Sequence, residues 1–490
     1  METHDIEPHP FQEAVDVLDH FFDRMDSGTV FAPNPFADFR TWRQRIRRAL
    51  FTLLLDGRPW LEARRSLDWP YDALQQHAPF LEAAAVSGAT AVERQEARRF
   101  LALLPFPGQW RHLRRLAAVE ADSPEIALLL SEEHRKIEAK LAKKRQKTFK
   151  LRHFCQILKA PRLPQEKGVL RIFSLPYLFY SVPGLLTRLS EQYVIYLEPP
   201  WGVLARHAWL RVFSDLADPV VIGAGGPEDC RFLATQPNVL PIPLAHGDYL
   251  EPNEDVPLEA SKTVDIVFNG LFDDMPRKRH GVVLDLLMRP ELNRLTALFL
   301  GRGAARNVAA FRRQVAERGL EGRVTVFDNL PRHDVPRHLA PCRVGIQISL
   351  HENVCRSIYE FFRSDIPCLV SSSMAGFNFD LITPENGVIA ADEALPEALR
   401  QMLADLPSFQ PRAWFLRHSG SIHAGRRLND HLRSLFLQLG YEWQEDIVPL
   451  SSSGANRYID PEDYRRFLPE FRRLFRIFKA FPLPIALAPE

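Results

Sequence analysis

Hydrophobic residues in the first third of the chain recur at intervals of three and four positions, which is the spacing of one face of an α-helix. An early example is the series Phe11, Val15, Leu18, Phe22 and Met25. The same spacing returns several times, with breaks at glycine and proline, until about residue 155. We therefore predict an all-helical accessory domain over residues 1–155.

From Gly168 onward the pattern changes to short apolar runs that alternate with helical stretches. The first series has four runs, Val169–Phe173, Tyr193–Leu197, Pro219–Ile222 and Val239–Pro243. After a stretch rich in proline and acidic residues, a second series has six, Val264–Phe268, Thr296–Leu300, Arg323–Phe327, Arg343–Ile348, Pro367–Ser371 and Gly387–Ala390. Strands that alternate with helices are typical of βαβ units and parallel sheets.

The two series predict an α/β protein with a pair of Rossmann-like domains. We place a small domain at residues 165–255 and a larger one at 262–410, followed by C-terminal helices over 411–490. In a doubly wound sheet, ligands bind beyond the carboxyl ends of the strands. His246 follows the last run of the first series, where it either borders a cleft or caps a turn, and we favour the turn.

Composition and charge exclude some classes of protein but do not identify a binding partner. A chain of 490 residues exceeds one hydrophobic core, and its formal net charge of +1 fits anionic and neutral ligands alike. Five cysteines without C-x-x-C spacing indicate neither a disulfide framework nor a zinc site. No apolar run is long enough to span a membrane, and the N-terminus is acidic, so we predict a cytoplasmic protein.

Two basic segments raise the question of an anionic surface. Residues 135–152 are rich in lysine and arginine but nearly lack aromatic residues that stack on bases, so we predict no nucleic-acid partner. The predicted helix over 461–479 mixes arginines with phenylalanines, and Pro469 could interrupt it. Such a helix is compatible with peripheral contact at the inner membrane face. Packing against the protein is the alternative, and we favour it.

The candidate chemistry centres on two acids in the segment Ser349–Glu360. Glu352 and Glu360 are eight residues apart, so a helix that begins just after Glu352 would bring both carboxylates to one cleft. Carboxylates accept hydrogen bonds from hydroxyl groups, and helix N-termini bind anions, a combination that suits a sugar joined to a diphosphate. The alternative is that the two acids merely decorate a solvated helix.

Four segments of the second series occur in the order and spacing of a known family. They are Leu298–Gly303, Arg323–Pro331, Ser349–Glu360 with the spacing E-x(7)-E, and Asp365–Val370. In these segments the chain resembles the C-terminal half of glycosyltransferase family four, retaining enzymes that use nucleotide sugars. The resemblance covers Val264 to about Leu395. It implies the GT-B fold of two facing Rossmann-like domains, here with an extra helical N-terminal domain.

The resemblance also implies roles for individual residues. Glu360 would bind the ribose hydroxyls, Glu352 would lie against the donor sugar, and Arg277 and Lys278 would neutralise the leaving diphosphate. Further contacts to the nucleotide sugar are expected from Gly270, Asn329, Asn353, Val354, Arg356 and Gly376. No metal and no cofactor are expected, since the nucleotide sugar is itself a substrate. The family usually has glycines after the first acid, and the bulkier run 353–356 departs from that pattern.

We therefore predict a retaining, metal-independent glycosyltransferase that moves a sugar from a nucleoside-diphosphate sugar to a hydroxyl group. The acceptor would be a glycan, a lipid-linked sugar or a protein, and surface glycan or polysaccharide assembly is the favoured setting. One alternative is a catalytically inactive scaffold that binds glycan or nucleotide sugar. Another is a protein glycosyltransferase whose N-terminal helices hold a polypeptide acceptor.

Overall fold

A computed structural model gives the structure of the chain. It describes residues 84–88, 90–103, 109–124, 126–132, 148–173, 184–198, 216–234, 238–252, 256–350, 354–374, 376–451, 458–483 and 485–490, and the single residues 16, 17, 20, 46, 135, 182, 213 and 352. Within these residues the predicted α/β class with two Rossmann-like sheets is confirmed. Most of the predicted helical domain over 1–155 lies outside the described residues.

Two helices of the N-terminal region are described along their length, α1 (Ala91–Leu103) and α2 (Gln109–Val119). They pack against each other, and Phe100 and Leu113 between them are fully buried. Arg99 of α1 donates to Glu120 just beyond α2 over 2.7 Å. The predicted helical pattern is therefore present in these two helices, but the prediction was wrong at the end of its range, where Thr148–Phe149 and Cys155 belong to strands.

The first sheet has five strands in the order β2-β3-β4-β5-β6. The strands and helices of this part are β1 (Thr148–Phe149), β2 (Cys155–Lys159), β3 (Gly168–Ile172), α3 (Leu185–Ser190), β4 (Tyr193–Leu197), β5 (Val220–Gly223), α4 (Pro227–Ala234) and β6 (Val239–Ile242). Strands β3 to β6 run parallel, and β2 adds an antiparallel edge. Strand β2 was not predicted, because two of its residues, Gln156 and Lys159, are polar.

The second sheet has six parallel strands in the order β12-β11-β10-β7-β8-β9. Its elements are β7 (Val264–Asn269), α5 (Met275–Lys278), α6 (His280–Leu287), β8 (Ala297–Gly301), α7 (Ala305–Glu317), β9 (Val324–Asp328), α8 (Val335–Leu339), β10 (Cys342–Gln347), α9 (Arg356–Arg363), β11 (Cys368–Ser371), β12 (Gly387–Ala390) and α10 (Leu395–Ala404). The chain winds outward from β7 in one direction and from β10 in the other. The crevice between these neighbours is the switch point at which such sheets bind ligands.

Three helices and a short strand complete the chain, namely α11 (Pro411–His418), α12 (Gly420–Gln438), α13 (Pro461–Lys479) and β13 (Ala486–Leu487). Helices α11 and α12 are separate, because the backbone is extended at Ser419 and Gly420 has a φ of +86°. This glycine starts a new helix in a new direction.

Helices α12 and α13 cover the first sheet rather than the second. Phe436 of α12 and Phe471 and Phe478 of α13 are fully buried in the core of the first domain. Helix α13 runs through Pro469 without a break. Packing therefore occupies the apolar face that membrane contact over 461–479 would have required. None of the described helices is long and apolar enough to cross a bilayer.

The two domains meet at two glycines of the first domain, where the other domain comes too close for a Cβ atom. Gly247 belongs to a one-turn 3-10 helix, His246–Tyr249, and a Cβ at this position would overlap the ring of Tyr359 on α9. Gly226, after β5, faces the backbone of Gly376, after β11, and a Cβ there would overlap the Gly376 carbonyl oxygen. The first domain thus touches the helix that carries Glu360.

Candidate functional site

A cavity of about 360 Å³ opens at the carboxyl ends of β7, β8 and β10, at the switch point of the second sheet. It is lined by Asn269, Gly270, Leu271, Lys278, Leu300, Gly301, Arg302, Leu330, Arg332, Val335, Glu352, Val354, Cys355, Arg356, Ser357 and Glu360. The volume lies within the range of small-ligand sites. Both predicted acids line this one cavity.

Glu352 is held by two cations from the short helix α5. Its Oε1 accepts a hydrogen bond from Lys278 Nζ and another, over 3.1 Å, from Arg277 Nη1. Burial raises the pKa of Glu352, but the charges of Lys278 and Arg277 outweigh this and hold the pKa below its usual value. Arg277 also pairs with Asp274, so these four side chains together are neutral, and Lys278 is the cation among them that lines the cavity.

The backbone fixes the two cations in place. Arg279, with a φ of +63°, ends α5, and its guanidinium donates to Asp392 over 2.7 Å. Arg277 donates from Nε to Asp274 over 2.6 Å, and its carbonyl oxygen accepts the N–H of Leu350 over 2.8 Å. The segment after β7 is therefore tied to the segment after β10, which brings α5 to Glu352.

Glu360 lies one turn before the end of α9 and is 8% exposed. Asn269 Nδ2 donates to its Oε2 over 3.1 Å, and Arg356 Nε donates to its Oε1 over 2.7 Å. Both carboxylate oxygens therefore have a partner that fixes the plane of the group. Each oxygen also has a second lone pair with which it can accept from a hydroxyl group.

Two supporting residues were missed at the sequence level. Asn269, which ends β7, holds Glu360, and the buried Gln347, which ends β10, donates both to the Asn269 carbonyl oxygen over 3.0 Å and to Ser357 Oγ over 2.7 Å. Both residues could have been found from their position in the sequence. Each is a polar residue at the carboxyl end of a strand next to the switch point, where side chains face the crevice.

The cavity is connected to the first domain through Arg356. Arg356 Nη1 lies 2.8 Å from His246 Nε2, and His246 Nδ1 lies 2.9 Å from Glu198 Oε1 at the end of β4. Burial raises the pKa of Glu198, but the charge of Arg171 and the contact with His246 outweigh this and bring the pKa to about 2. His246 therefore borders the cleft as well as starting a turn.

The remaining predicted residues lie in different places. Gly270 and Val354 line the cavity. Asn329 is not among the lining residues, because its φ of +55° turns the side-chain amide toward Gly303, where Nδ2 donates over 3.0 Å and Oδ1 accepts over 3.3 Å. Gly376 contacts Gly226 of the first domain. Asn353 lies outside the described residues.

One family model matches the second domain. Residues 263–406 match the family model described as Glycosyl transferases group 1. HepE of Anabaena, in complex with UDP and glucose, aligns with a TM-score of 0.43 and 16% identity, over 54% of this chain and 78% of that one. No curated protein matches the chain.

Two further solved structures align at a similar level. Sucrose-phosphate synthase of Thermosynechococcus elongatus has a TM-score of 0.41 and 18% identity, over 52% of this chain and 71% of that one. The lipopolysaccharide outer core galactosyltransferase WaaB in its apo form has a TM-score of 0.40 and 14% identity, over 54% and 75%. With TM-scores below 0.5, these alignments carry no argument about the substrate.

Proposed function

Since residues 263–406 form a domain of the glycosyl transferases group 1 family, we propose that the chain is a retaining glycosyltransferase. It moves a sugar from a nucleoside-diphosphate sugar to a hydroxyl group of a glycan, a lipid-linked sugar or a protein, in the assembly of a surface glycan or polysaccharide. The observation that carries the proposal is that Glu352, Lys278 and Glu360 line one cavity at the switch point of a parallel sheet.

In this proposal the two carboxylates bind the two ends of the donor. Glu360 accepts hydrogen bonds from the ribose hydroxyls, and Asn269 and Arg356 hold its carboxylate plane ready for them. Glu352 accepts from hydroxyls of the sugar while its own charge is balanced by Arg277 and Lys278. Neutralising a buried carboxylate in this way lets it accept a ligand hydroxyl without a large desolvation cost.

The diphosphate leaving group would lie between the two acids. Lys278 and the first residues of α9 line the same cavity, and the N-terminus of a helix carries a partial positive charge. These fixed positive groups stabilise the negative charge that develops on the β-phosphate as the glycosidic bond breaks. The reaction we propose is accordingly metal-independent and uses no cofactor beyond the nucleotide sugar.

The test is to incubate the full chain with UDP-, GDP-, ADP- and dTDP-linked sugars and generic acceptors. We expect tight binding of one nucleoside diphosphate by calorimetry, release of that nucleotide on turnover, and an anomeric configuration in the product, read by NMR, that matches the donor. Glu360→Gln should weaken nucleotide binding about tenfold or more, as expected for loss of hydrogen bonds to a charged group. Glu397→Gln, an exposed acid on α10, is the matched control.

The outcomes separate the alternatives. A wild-type protein that binds none of the nucleotides would overturn the proposal. Binding without turnover on any acceptor would instead support the inactive scaffold, and sugar-modified protein recovered from the host would support a protein acceptor. If Glu360→Gln bound nucleotide as well as wild type does, the assignment of the ribose site would be wrong even with the activity intact.

A further inference from the structure

We propose that His246 of the first Rossmann-like domain is a positioning residue of the donor site. It holds the guanidinium of Arg356 across the domain boundary and, through Arg356, orients the carboxylate of Glu360. The inference rests on the proposed function, since it adds a residue to the same site. It assigns to the first Rossmann-like domain a part in donor binding that is exerted through Arg356.

The geometry is a chain of three hydrogen bonds between two carboxylates in different domains. Glu198 Oε1 lies 2.9 Å from His246 Nδ1, and His246 Nε2 lies 2.8 Å from Arg356 Nη1. Arg356 Nε then donates to Glu360 Oε1 over 2.7 Å. The Arg356 guanidinium thus bonds to His246 of the first domain through Nη1 and to Glu360 of the second domain through Nε.

The chemistry of the partners fixes the direction of each bond. A guanidinium has only donors, so His246 Nε2 must accept from Arg356 and carries no proton. The proton of the neutral imidazole is therefore on Nδ1, and it is donated to Glu198. A histidine with this tautomer links an anion to a cation without adding a charge of its own.

The far end of the chain is anchored in the core of the first domain. Glu198 is 2% exposed, and its second oxygen accepts from Arg171 Nε over 2.7 Å. Arg171 Nη1 donates in turn to Gln156 Oε1 over 2.9 Å, so the anchor extends to the edge strand β2. Because these groups are buried and paired, the position of the imidazole is set by the fold of the first sheet.

The backbone around His246 reinforces this placement. Its 3-10 turn packs on α9, where Gly247 lies against the ring of Tyr359. Asp248 Oδ2 accepts the N–H of Ala245 over 2.8 Å, which closes the turn on itself. The turn and the helix that carries Arg356 and Glu360 are therefore in direct contact, and the imidazole faces the guanidinium at a fixed distance.

The functional consequence concerns the freedom of Arg356. An unrestrained arginine samples many rotamers, and ordering it costs conformational entropy. Held at one end by His246, the side chain is already in the geometry that fixes Glu360 Oε1. Removing the imidazole should therefore weaken ground-state binding of the donor, which raises the KM for donor and leaves kcat nearly unchanged.

The experiment measures donor binding and turnover in the full chain with His246→Ala, His246→Gln, Arg356→Met and the double variant His246→Ala/Arg356→Met. The probe is whichever of UDP, GDP, ADP and dTDP binds wild type most tightly, with its sugar conjugate for kinetics. We expect the Kd and the donor KM to rise about tenfold in His246→Ala, the scale of one charge-assisted hydrogen bond. His246→Gln, whose amide oxygen can accept from Arg356, should stay within about threefold of wild type.

The double variant decides between positioning and general packing. If His246 acts through Arg356, His246→Ala should have almost no further effect once Arg356→Met is present. His418→Ala, at an exposed position of α11, is the matched control and should leave Kd and thermal midpoint unchanged. A purely structural role would lower the thermal midpoint and would not be rescued by glutamine.

The failure modes are distinguishable. An unchanged Kd in His246→Ala, or additive effects in the double variant, would overturn the role of His246. The proposed function would still stand in that case, provided that the wild type binds one of the nucleotides. A wild type that binds none of the four nucleoside diphosphates would overturn the proposed function and the role of His246 with it.

Discussion

The two Rossmann-like domains both bury charged residues, but they use them differently. In the first, Lys159–Glu166, Lys167–Asp218 and Arg171–Glu198 are ion pairs whose side chains are at most 8% exposed, and they tie strands and loops to each other. In the second, the charged groups around Glu352 and Glu360 line a cavity. Ion pairs enclosed by the fold serve its architecture, whereas those at the switch point remain accessible to a ligand.

This contrast teaches that burial of a charge does not by itself identify a site. The salt bridge of Arg171 with Glu198 is as well formed as those of Glu352, and it also lies at the carboxyl end of a strand. What differs is whether an open volume adjoins the charges. Substitutions of one lysine in each domain can test this difference directly.

The largest effect is expected at Lys278. Lys278→Met removes one of the two cations on Glu352 and leaves Arg277 alone to balance the carboxylates of Glu352 and Asp274. We expect turnover to fall about a thousandfold, as when a fixed group that stabilises transition-state charge is lost. The measurement is the initial rate with saturating donor, together with urea unfolding. Loss of stability without loss of activity per folded molecule would contradict the functional assignment of this cluster.

The matched change in the first domain is Lys167→Met. Lys167 donates to Asp218 and, over 2.6 Å, to the carbonyl oxygen of Ser190, so its removal leaves the buried carboxylate of Asp218 without this cation and with the Tyr441 hydroxyl as a neutral donor. We expect the free energy of unfolding to drop by about 3 kcal/mol, the typical cost of breaking a buried pair from one side. Activity per folded molecule should be close to wild type. If Lys167→Met lost turnover but not stability, the claim that the ion pairs of the first domain serve its architecture would be wrong.

The ion pair at Glu198 predicts a pH dependence of stability. Its pKa is lowered to about 2 from an ordinary 4.5 in the unfolded chain, so its stabilising contribution is complete above pH 4.5 and is lost as the pH falls toward 2. The contribution is roughly 3 kcal/mol on the scale of one pKa unit per 1.4 kcal/mol. The unfolding free energies of wild type and Glu198→Gln, measured in urea, should therefore converge between pH 4.5 and 2.

The control for this titration is Glu321→Gln, an exposed acid before β9. Its unfolding free energy should follow that of wild type at every pH, because exposed charges contribute little. A constant difference between Glu198→Gln and wild type over the whole acid range would mean that Arg171 does not stabilise the charged form of Glu198.

The sequence revealed those features that depend on local pattern. Alternating strands and helices placed both sheets, and the eight-residue spacing of Glu352 and Glu360 brought both acids to one cavity because α9 begins between them. Strand β2 was not predicted because Gln156 and Lys159 are polar. In the folded chain Gln156 bonds to Arg171 and Lys159 pairs with Glu166, and these partners could not be known from the local sequence.

Features that depend on long-range packing could not be predicted. The contact of His246 with Arg356 joins residues 110 positions apart and exists only because two domains meet. The amide of Asn329 bonds to Gly303, where the backbone has a positive φ, and its expected contact with the nucleotide stays a prediction. In both cases the residue type was compatible with binding, and the tertiary structure decided what the side chain contacts.

The smallest expected effect tests the contact between the domains themselves. In Gly226→Ala the new Cβ would overlap the carbonyl oxygen of Gly376, and backbone cannot yield as a side-chain tip does, so the two loops must separate. We expect the unfolding free energy to change by less than about 1 kcal/mol, since each domain keeps its own core. Turnover should fall about tenfold, because small misplacements of groups in a closed site are costly.

The matched control is Gly425→Ala on α12, where a Cβ would meet nothing within 4 Å. Alanine in a helix interior is favoured over glycine by about 1 kcal/mol, so this variant should be slightly more stable and equally active. Full activity in Gly226→Ala would mean that turnover does not require the closed contact at Gly376. The second domain would then be active without the contact between Gly226 and Gly376. The first domain would contribute to positioning through the His246 turn alone.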